Sequence, residues 1–184
     1  YAFLGWFAEE DFEGDVAEKI AIGSNGNKTF YAKWQACENK LVFDANGGSG
    51  SMDNQTHTYD MPINLSINTY VRTGYIFTGW KYMDDPYTDG QLISNLSTVH
   101  DDKLTFVAQW NPITYTVHFN SNGGTGTMSE HQYNYGEVAT LTKNAFTREG
   151  YDFYGWAKTA TGEREYIDEE EIENGLGYTV LTRT

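Results

Sequence analysis

The chain repeats itself at a spacing of 76 residues, and this periodicity restricts its architecture more than any other feature. The pattern Tyr-x-Phe-x-Gly-Trp occurs three times, ending at Trp6, Trp80 and Trp156. Phe-x-Ala-x-Trp occurs at 30–34 and 106–110, and Phe-x-x-Asn-Gly-Gly at 43–48 and 119–124. Residues 43–80 align with 119–156 without a gap, and 15 of the 38 pairs are identical, far above chance. Self-similarity at a fixed period marks a repeat array. The alignment predicts three segments: 1–34 as the C-terminal half of a unit, 35–110 as a complete unit, and 111–184 as a complete unit with a degenerate closing strand. In the last of these Thr184 stands where Trp34 and Trp110 stand in theirs. The expectation is a piece of a longer array. Its joints are short, at 35–40 and at Asn111-Pro112-Ile113, and Pro112 stiffens the second by fixing its φ.

Within a unit the pattern is that of strands. Tyr115, Val117 and Phe119 alternate with Thr116 and His118, and Leu41 and Phe43 repeat that face. Period-two alternation predicts a half-buried strand. Asn46-Gly47-Gly48 and Asn122-Gly123-Gly124 tolerate positive φ and predict tight turns. Second strands are expected around 55–59 and 131–135, third strands after Gly74 and Gly150, and a closing strand over 103–110. Leu65 and Leu141 anchor the stretch between. Short helices are expected near 92–97 and 168–174.

Charge then narrows the partners. Twelve Lys and Arg against 26 Asp and Glu give a net charge of −14 and a pI near 4.5. Nucleic acid and anionic membrane surfaces attract basic faces, so neither is an expected partner. Spanning a bilayer takes about 20 apolar residues, and no run approaches that, so direct membrane insertion is not expected. The sole cysteine, Cys37, has no internal partner for a disulfide. Cohesion must come from the 14 Tyr, 10 Phe and 5 Trp.

The segments Phe43-Asp-Ala-Asn-Gly-Gly-Ser-Gly-Ser-Met52 and Phe119-Asn-Ser-Asn-Gly-Gly-Thr-Gly-Thr-Met128 resemble the opening of the internalin-type B-repeat, also called the Listeria–Bacteroides repeat. The resemblance continues through Thr147–Trp156 and the closing Phe-x-Ala-x-Trp, and covers essentially the whole chain. It implies a mainly β or α+β fold: tandem β-grasp-like (ubiquitin-like) modules arranged as beads. It also implies secreted or wall-attached microbial surface proteins, in which such arrays serve as stalks or auxiliary adhesive segments.

Chemistry intrinsic to a repeated module should recur at equivalent positions. None of the four histidines does: His57 aligns with Tyr133, His118 with Val42, His131 with Gln55, and His100 lies in a segment of different length. No zinc spacing, phosphate loop or nucleophile elbow is present. The expectation is no enzyme, no cofactor, no catalytic residue and no metal site. Acidic stretches after each Gly-Trp, such as 9–15 and 84–89, have the oxygens calcium needs but no common spacing. Four Asn-x-Ser/Thr sequons, at Asn27, Asn54, Asn64 and Asn95, matter only where a host glycosylates them.

The recurring aromatics are expected to form a core in each unit: Phe43, Tyr75, Phe77, Trp80, Phe106 and Trp110, then Phe119, Tyr151, Phe153 and Trp156. Tyr82, Tyr87, Tyr154 and Tyr166, in or beside the loops after Gly-Trp, are read as non-repeated and are weak candidates for ligand contact, because tyrosine covers wide area at low entropic cost. The expected function is a non-enzymatic extracellular spacer or stalk, or an element of a surface layer or filament, on a microbial cell surface or wall. Its expected partners are neighbouring repeats of the same chain and, in a self-assembled layer, copies of itself. The alternative is an adhesin module that binds a host protein or glycan through those loops.

Overall fold

The computed structural model describes residues 1–172. The expected closing strand at 179–184 lies outside them. Among the described residues there is no helix, and the elements are β1 (Ala2–Phe7), β2 (Tyr31–Gln35), β3 (Glu38–Asp44), β4 (Gln55–Thr58), β5 (Ile63–Asn64), β6 (Tyr75–Tyr82), β7 (Asp85–Tyr87), β8 (Leu92–Ile93), β9 (Lys103–Pro112), β10 (Thr114–Val117), β11 (His131–Asn134), β12 (Ala139–Thr140) and β13 (Glu171–Ile172). No helix among them is long and apolar enough to cross a membrane.

Neither expected helix is found among the described residues: 92–93 and 171–172 are short strands and the rest of each described stretch is loop or turn. Ile93 in β8 pairs with Ile63, and Leu65 N–H donates to the Gln91 carbonyl, so backbone groups a helix would use internally are engaged across the chain. Asn95 then takes φ +53°, which ends any helical continuation. In the next repeat Glu169 has φ +55°, β13 pairs with β12, and residues 173 and 174 are beyond the described chain.

The compact divisions of the chain do not follow the sequence repeats. One unit comprises Tyr1–Val71 with Thr78–Gln109; the other comprises Arg72–Phe77 with the chain from Trp110 onward. In the first, β1 and β2 form an antiparallel ribbon, with Trp6 opposite Ala32. A five-stranded sheet has the order β4-β3-β9-β6-β7, with β3 and β9 parallel at its centre and Phe43 opposite Phe106. Alternation does the sorting: Leu41 and Phe43 from β3, and Leu104, Phe106 and Ala108 from β9, are buried on one face, where Leu65, Tyr70, Trp80 and Ile93 join them.

In the second unit β10 and β11 pair in the register of β3 and β4, residue for residue: Glu38 faces Thr58, and Thr114 faces Asn134. Val117, Tyr133, Leu141, Phe146, Trp156 and Ile172 form its core, with Phe119, Phe153 and Tyr166 partly buried against it. The tryptophan seats are alike. Trp80 sits 4.9 Å from Phe43 and 6.2 Å from Tyr70, ring centre to ring centre, and Trp156 sits 4.8 Å from Phe119 and 6.3 Å from Phe146. Burying a large aromatic in such a seat supplies much of a small module's stability.

The glycine before each tryptophan is required by geometry. Gly79 has φ +137°, and a Cβ on it would stand 2.6 Å from the Tyr87 carbonyl oxygen; Gly155 has φ +149° and would put one 2.5 Å from that of Tyr166. The neighbouring segment crosses where a side chain would be.

One expected core residue is corrected. Tyr151 is 64% exposed. Its counterpart Tyr75 is partly buried, but the ring it meets is Tyr135, from the following sequence repeat and inside the same compact unit. Phe77 and Trp110 are likewise partly buried, edge-to-face at 5.5 Å. The joint between sequence repeats is therefore more than Asn111-Pro112: Ile113 N–H also donates to the Gly74 carbonyl at 2.8 Å.

Candidate functional site

The loops after Gly-Trp were expected to carry any ligand contact, and the structure sorts their four tyrosines. Tyr82 stacks on Phe106 at 5.2 Å, and Tyr87 meets the same ring edge-on at 5.2 Å. Both are only partly exposed, and burial pushes their phenol pKa values up. They form the outer wall of the core. Tyr166 packs on the second core, and its carbonyl accepts from Trp156 N–H at 2.8 Å.

Tyr87 and Tyr166 are also equivalent, contrary to the expectation that they are unrepeated. Trp80 pairs with Tyr87, and Trp156 bridges Tyr166. The second loop is three residues longer, which hides the match from a gapless alignment. Two residues on, Asp89 and Asp168 do the same work: each carboxylate accepts a backbone N–H, from Asn68 at 2.9 Å and from Asn144 at 2.8 Å.

Asn68 and Asn144 were not singled out in the sequence. Each side chain clamps the residue two positions on, accepting its N–H and donating to its carbonyl, at 3.0 Å in all four bonds. The clamped residues are the buried Tyr70 and Phe146, the rings that cover the tryptophans. The signal was available as an identity in the repeat alignment.

Tyr154 alone of the four stands out from the core, 72% exposed, with the Arg164 guanidinium over its ring at 4.1 Å. Arg164 also donates to the Tyr154 carbonyl at 3.2 Å. With Arg148, Tyr151, Asp152 and Glu163 these residues line an open groove of about 610 Å³. The two arginines are matched in number by Asp152 and Glu163, and the two exposed rings offer flat area to a planar group. A second open groove, of about 490 Å³, lies beside Trp6, which is 49% exposed and clusters with Phe3. Phe3 also meets Trp34 at 5.2 Å.

The acidic loops are largely used locally. Lys81 pairs with Asp84 at 3.3 Å and Lys158 with Glu165 at 2.7 Å, and Glu170 accepts Ile167 N–H. No group of three or more His, Cys, Asp or Glu is placed to share a metal among the described residues. At the sequons, Asn64 and Asn95 spend their amide N–H on the Gly90 carbonyl and the Asp60 carboxylate, so a glycan there would displace a hydrogen bond.

One buried polar pair has no counterpart in the second unit. Asn39 and His57 face each other across β3 and β4, 2% and 0% exposed. Asn39 donates to the Val99 carbonyl at 2.6 Å, but its Oδ1 and both His57 ring nitrogens find no hydrogen-bond partner among the described residues. Desolvation lowers the His57 pKa. The equivalent pair is Tyr115 and Tyr133, stacked at 5.7 Å. Nearby Cys37 is buried, its thiol donating to the Thr98 carbonyl at 3.1 Å.

Comparison with known proteins agrees with this periodicity. The family model of the Listeria-Bacteroides repeat domain matches residues 1–33, 40–109 and 115–176. Two proteins of Evansella cellulosilytica are similar over 85% of this chain: a "Putative Gly-rich membrane protein" at 31% identity and a "Putative membrane protein" at 32%. The matched region covers 19% and 22% of those relatives, so the chain spans about a fifth of their length. No solved structure matches. With its three matched segments and the recurring Gly-Trp seat, the chain belongs to the Listeria-Bacteroides repeat domain family.

Proposed function

We propose that this chain is a non-enzymatic, extracellular segment of a microbial surface or wall protein, in which tandem β-grasp-like modules act as a spacer or as an element of a surface layer. The observation that carries the reading is the repetition of structure with divergence of surface. The Trp80 and Trp156 seats agree to about a tenth of an ångström in their ring spacings, and the asparagine clamps agree bond for bond. The loops after Gly-Trp, by contrast, differ between repeats in length and residue, and the exposed Tyr154 stands where the other repeats carry Leu4 and Thr78. Selection on a load-bearing module preserves its core, whereas selection on a repeated binding site would preserve a surface.

Topology supports the β-grasp part. Numbered within 35–110, the sheet runs second, first, last, third, fourth, with the first and last strands parallel at its centre. Where a crossing helix would lie in chain order, the β5–β8 pair stands instead, with Leu65 and Ile93 buried. First and last strands lying side by side let each module resist extension through paired central strands. The relatives' printed names place them at a membrane, which fits a surface location. Small-angle scattering of chains with increasing numbers of repeats tests the spacer. Maximum dimension should rise linearly with repeat number; a dimension that stays flat sinks it.

The adhesin reading has one observation in its favour, the groove with Tyr151, Tyr154, Arg148 and Arg164. Binding to acidic glycans that is lost in Tyr154→Ala, with the fold intact, would favour it.

A further inference from the structure

Tyr151 is one of three equivalent tyrosines, and the other two are engaged. Tyr1, Tyr75 and Tyr151 open the three copies of the Gly-Trp motif. Tyr1 meets Tyr59 edge-on, ring centres 5.7 Å apart, and its hydroxyl donates to the Asp60 carboxylate. Tyr75 meets Tyr135 edge-on at 5.8 Å, and its hydroxyl reaches so near Gly136 that a Cβ there would lie 2.6 Å away. Tyr59 and Tyr135 are 76 residues apart, as are Asp60 and Gly136. The same contact therefore occurs twice. Each time it joins the motif tyrosine of one sequence repeat to the residues that follow the second strand of the next.

The third copy has the same shape, and among the described residues no aromatic ring lies on it as Tyr59 and Tyr135 lie on the other two. Gly74 and Gly150 have φ +77° and +78°, but a Cβ on Gly74 would lie 2.0 Å from the Tyr135 ring, while one on Gly150 meets nothing within 4 Å. Both tyrosines close the same turn, with N–H to the Arg72 carbonyl at 3.0 Å and to that of Arg148 at 3.1 Å. Both are backed by that arginine, at 3.9 Å over Tyr75 and 4.2 Å over Tyr151. A ring already held in place loses little freedom on docking. Tyr151 is prepared as its counterparts are, and stands 64% exposed.

We propose that Arg148, Gly150 and Tyr151 form a docking surface for a further repeat unit of the same family. That unit would present its counterpart of Tyr135 to the Tyr151 ring edge. It would also donate, from its counterpart of Ile113, a backbone N–H to the Gly150 carbonyl. The open space at Gly150 calls for an aromatic ring laid against backbone, which is what Gly74 receives. The proposal rests on the tandem-module reading and specifies how consecutive modules are fixed.

The test appends a second copy of residues 111–184 after Thr184 of the full chain and maps tyrosine nitration by tetranitromethane with peptide mass spectrometry. In the unextended chain Tyr75 should nitrate several-fold more slowly than Tyr151. Extension should slow Tyr151 to the Tyr75 rate, and replacing the appended counterpart of Tyr135 by alanine should restore it. An unchanged Tyr151 rate overturns the proposal, whether or not the added copy acquires amide protection. A second arm needs no new segment: Tyr135→Ala in the unextended chain should raise Tyr75 to the Tyr151 rate while the Trp80 amide stays protected. An unmoved Tyr75 also overturns it. Protection of Tyr151 by an acidic glycan but not by extension would assign the surface to a glycan instead. A chain that lengthens with each repeat while Tyr151 stays reactive would sink the joint and leave the spacer standing.

Discussion

Trp80 and Trp6 occupy the same motif and live in different surroundings. Trp80 is 1% exposed under Phe43 and Tyr70; Trp6 is 49% exposed beside an open groove. The ring that covers Trp80 most closely is Phe43 of β3, whereas the ring beside Trp6 is Phe3 of its own strand, at 5.5 Å. A motif specifies a core position only through what packs against it. The glycine geometry persists in both, at φ +137° for Gly5 and Gly79, because it is set by the local crossing of chain and not by the core.

The largest expected effect breaks this comparison at its centre. Trp80→Ala should destabilise the 35–110 repeat by about 3–5 kcal/mol, the range for truncating a buried large aromatic. Trp6→Ala should shift stability by about 1 kcal/mol or less, as for an exposed position. Urea unfolding followed by amide exchange separates them; equal losses would mean that Trp6 is covered in solution. Gly79→Ala comes next, with about 1–3 kcal/mol from the backbone conformation alone and more from the clash with the Tyr87 carbonyl. Gly5→Ala shares the strain but meets only the Val16 side chain, which can turn away, so its melting temperature should fall less.

Smaller effects sharpen the comparison between 35–110 and 111–172. Asn68→Ala and Asn144→Ala each remove two hydrogen bonds, with a net effect of about 1–3 kcal/mol. Their effects should match within error in denaturant titrations, since the clamps are the same; a large inequality would mean that one clamp is dispensable. His57 should set the two repeats apart by pH. Its folded pKa lies below its unfolded value of about 6.5. Above that pH both states are neutral there and stability is full. As pH falls below about 6.5 the unfolded chain takes up a proton that the folded chain refuses, so stability declines by at most about 1.4 kcal/mol per pH unit until the folded pKa is reached. Replacing Asn39 and His57 together by tyrosine, as at Tyr115 and Tyr133, should remove that dependence, measured by denaturant midpoint between pH 7.5 and 5.

Much of the architecture is legible in the chain because strands sort side chains every second residue. The alternation at Leu41 and Phe43 placed β3, and the Asn-Gly-Gly turns fixed where it ends. The helix expectations at 92–97 and 168–174 failed for a related reason. Short apolar runs such as Leu92-Ile93 do not distinguish helix from strand, and the partner that decided it, Ile63, lies 30 residues away. A three-residue insertion conceals from the gapless alignment that Tyr166 repeats Tyr87. Only the fold brings Tyr82 and Tyr87 together on Phe106.

The sequence by itself determined the period, the opening strands, the closing strand over 103–110, the turns and the tryptophans that recur, because these depend on residue type and spacing along one chain. The tertiary structure alone decided which recurring aromatics are core and which are joint. Trp80 and Tyr75 are equally repeated and only five residues apart, yet Trp80 is sealed by its own repeat and Tyr75 meets Tyr135 of the next. Burial is a property of what surrounds a side chain in space, and periodicity cannot tell a ring that closes a module from one that fastens it to its neighbour.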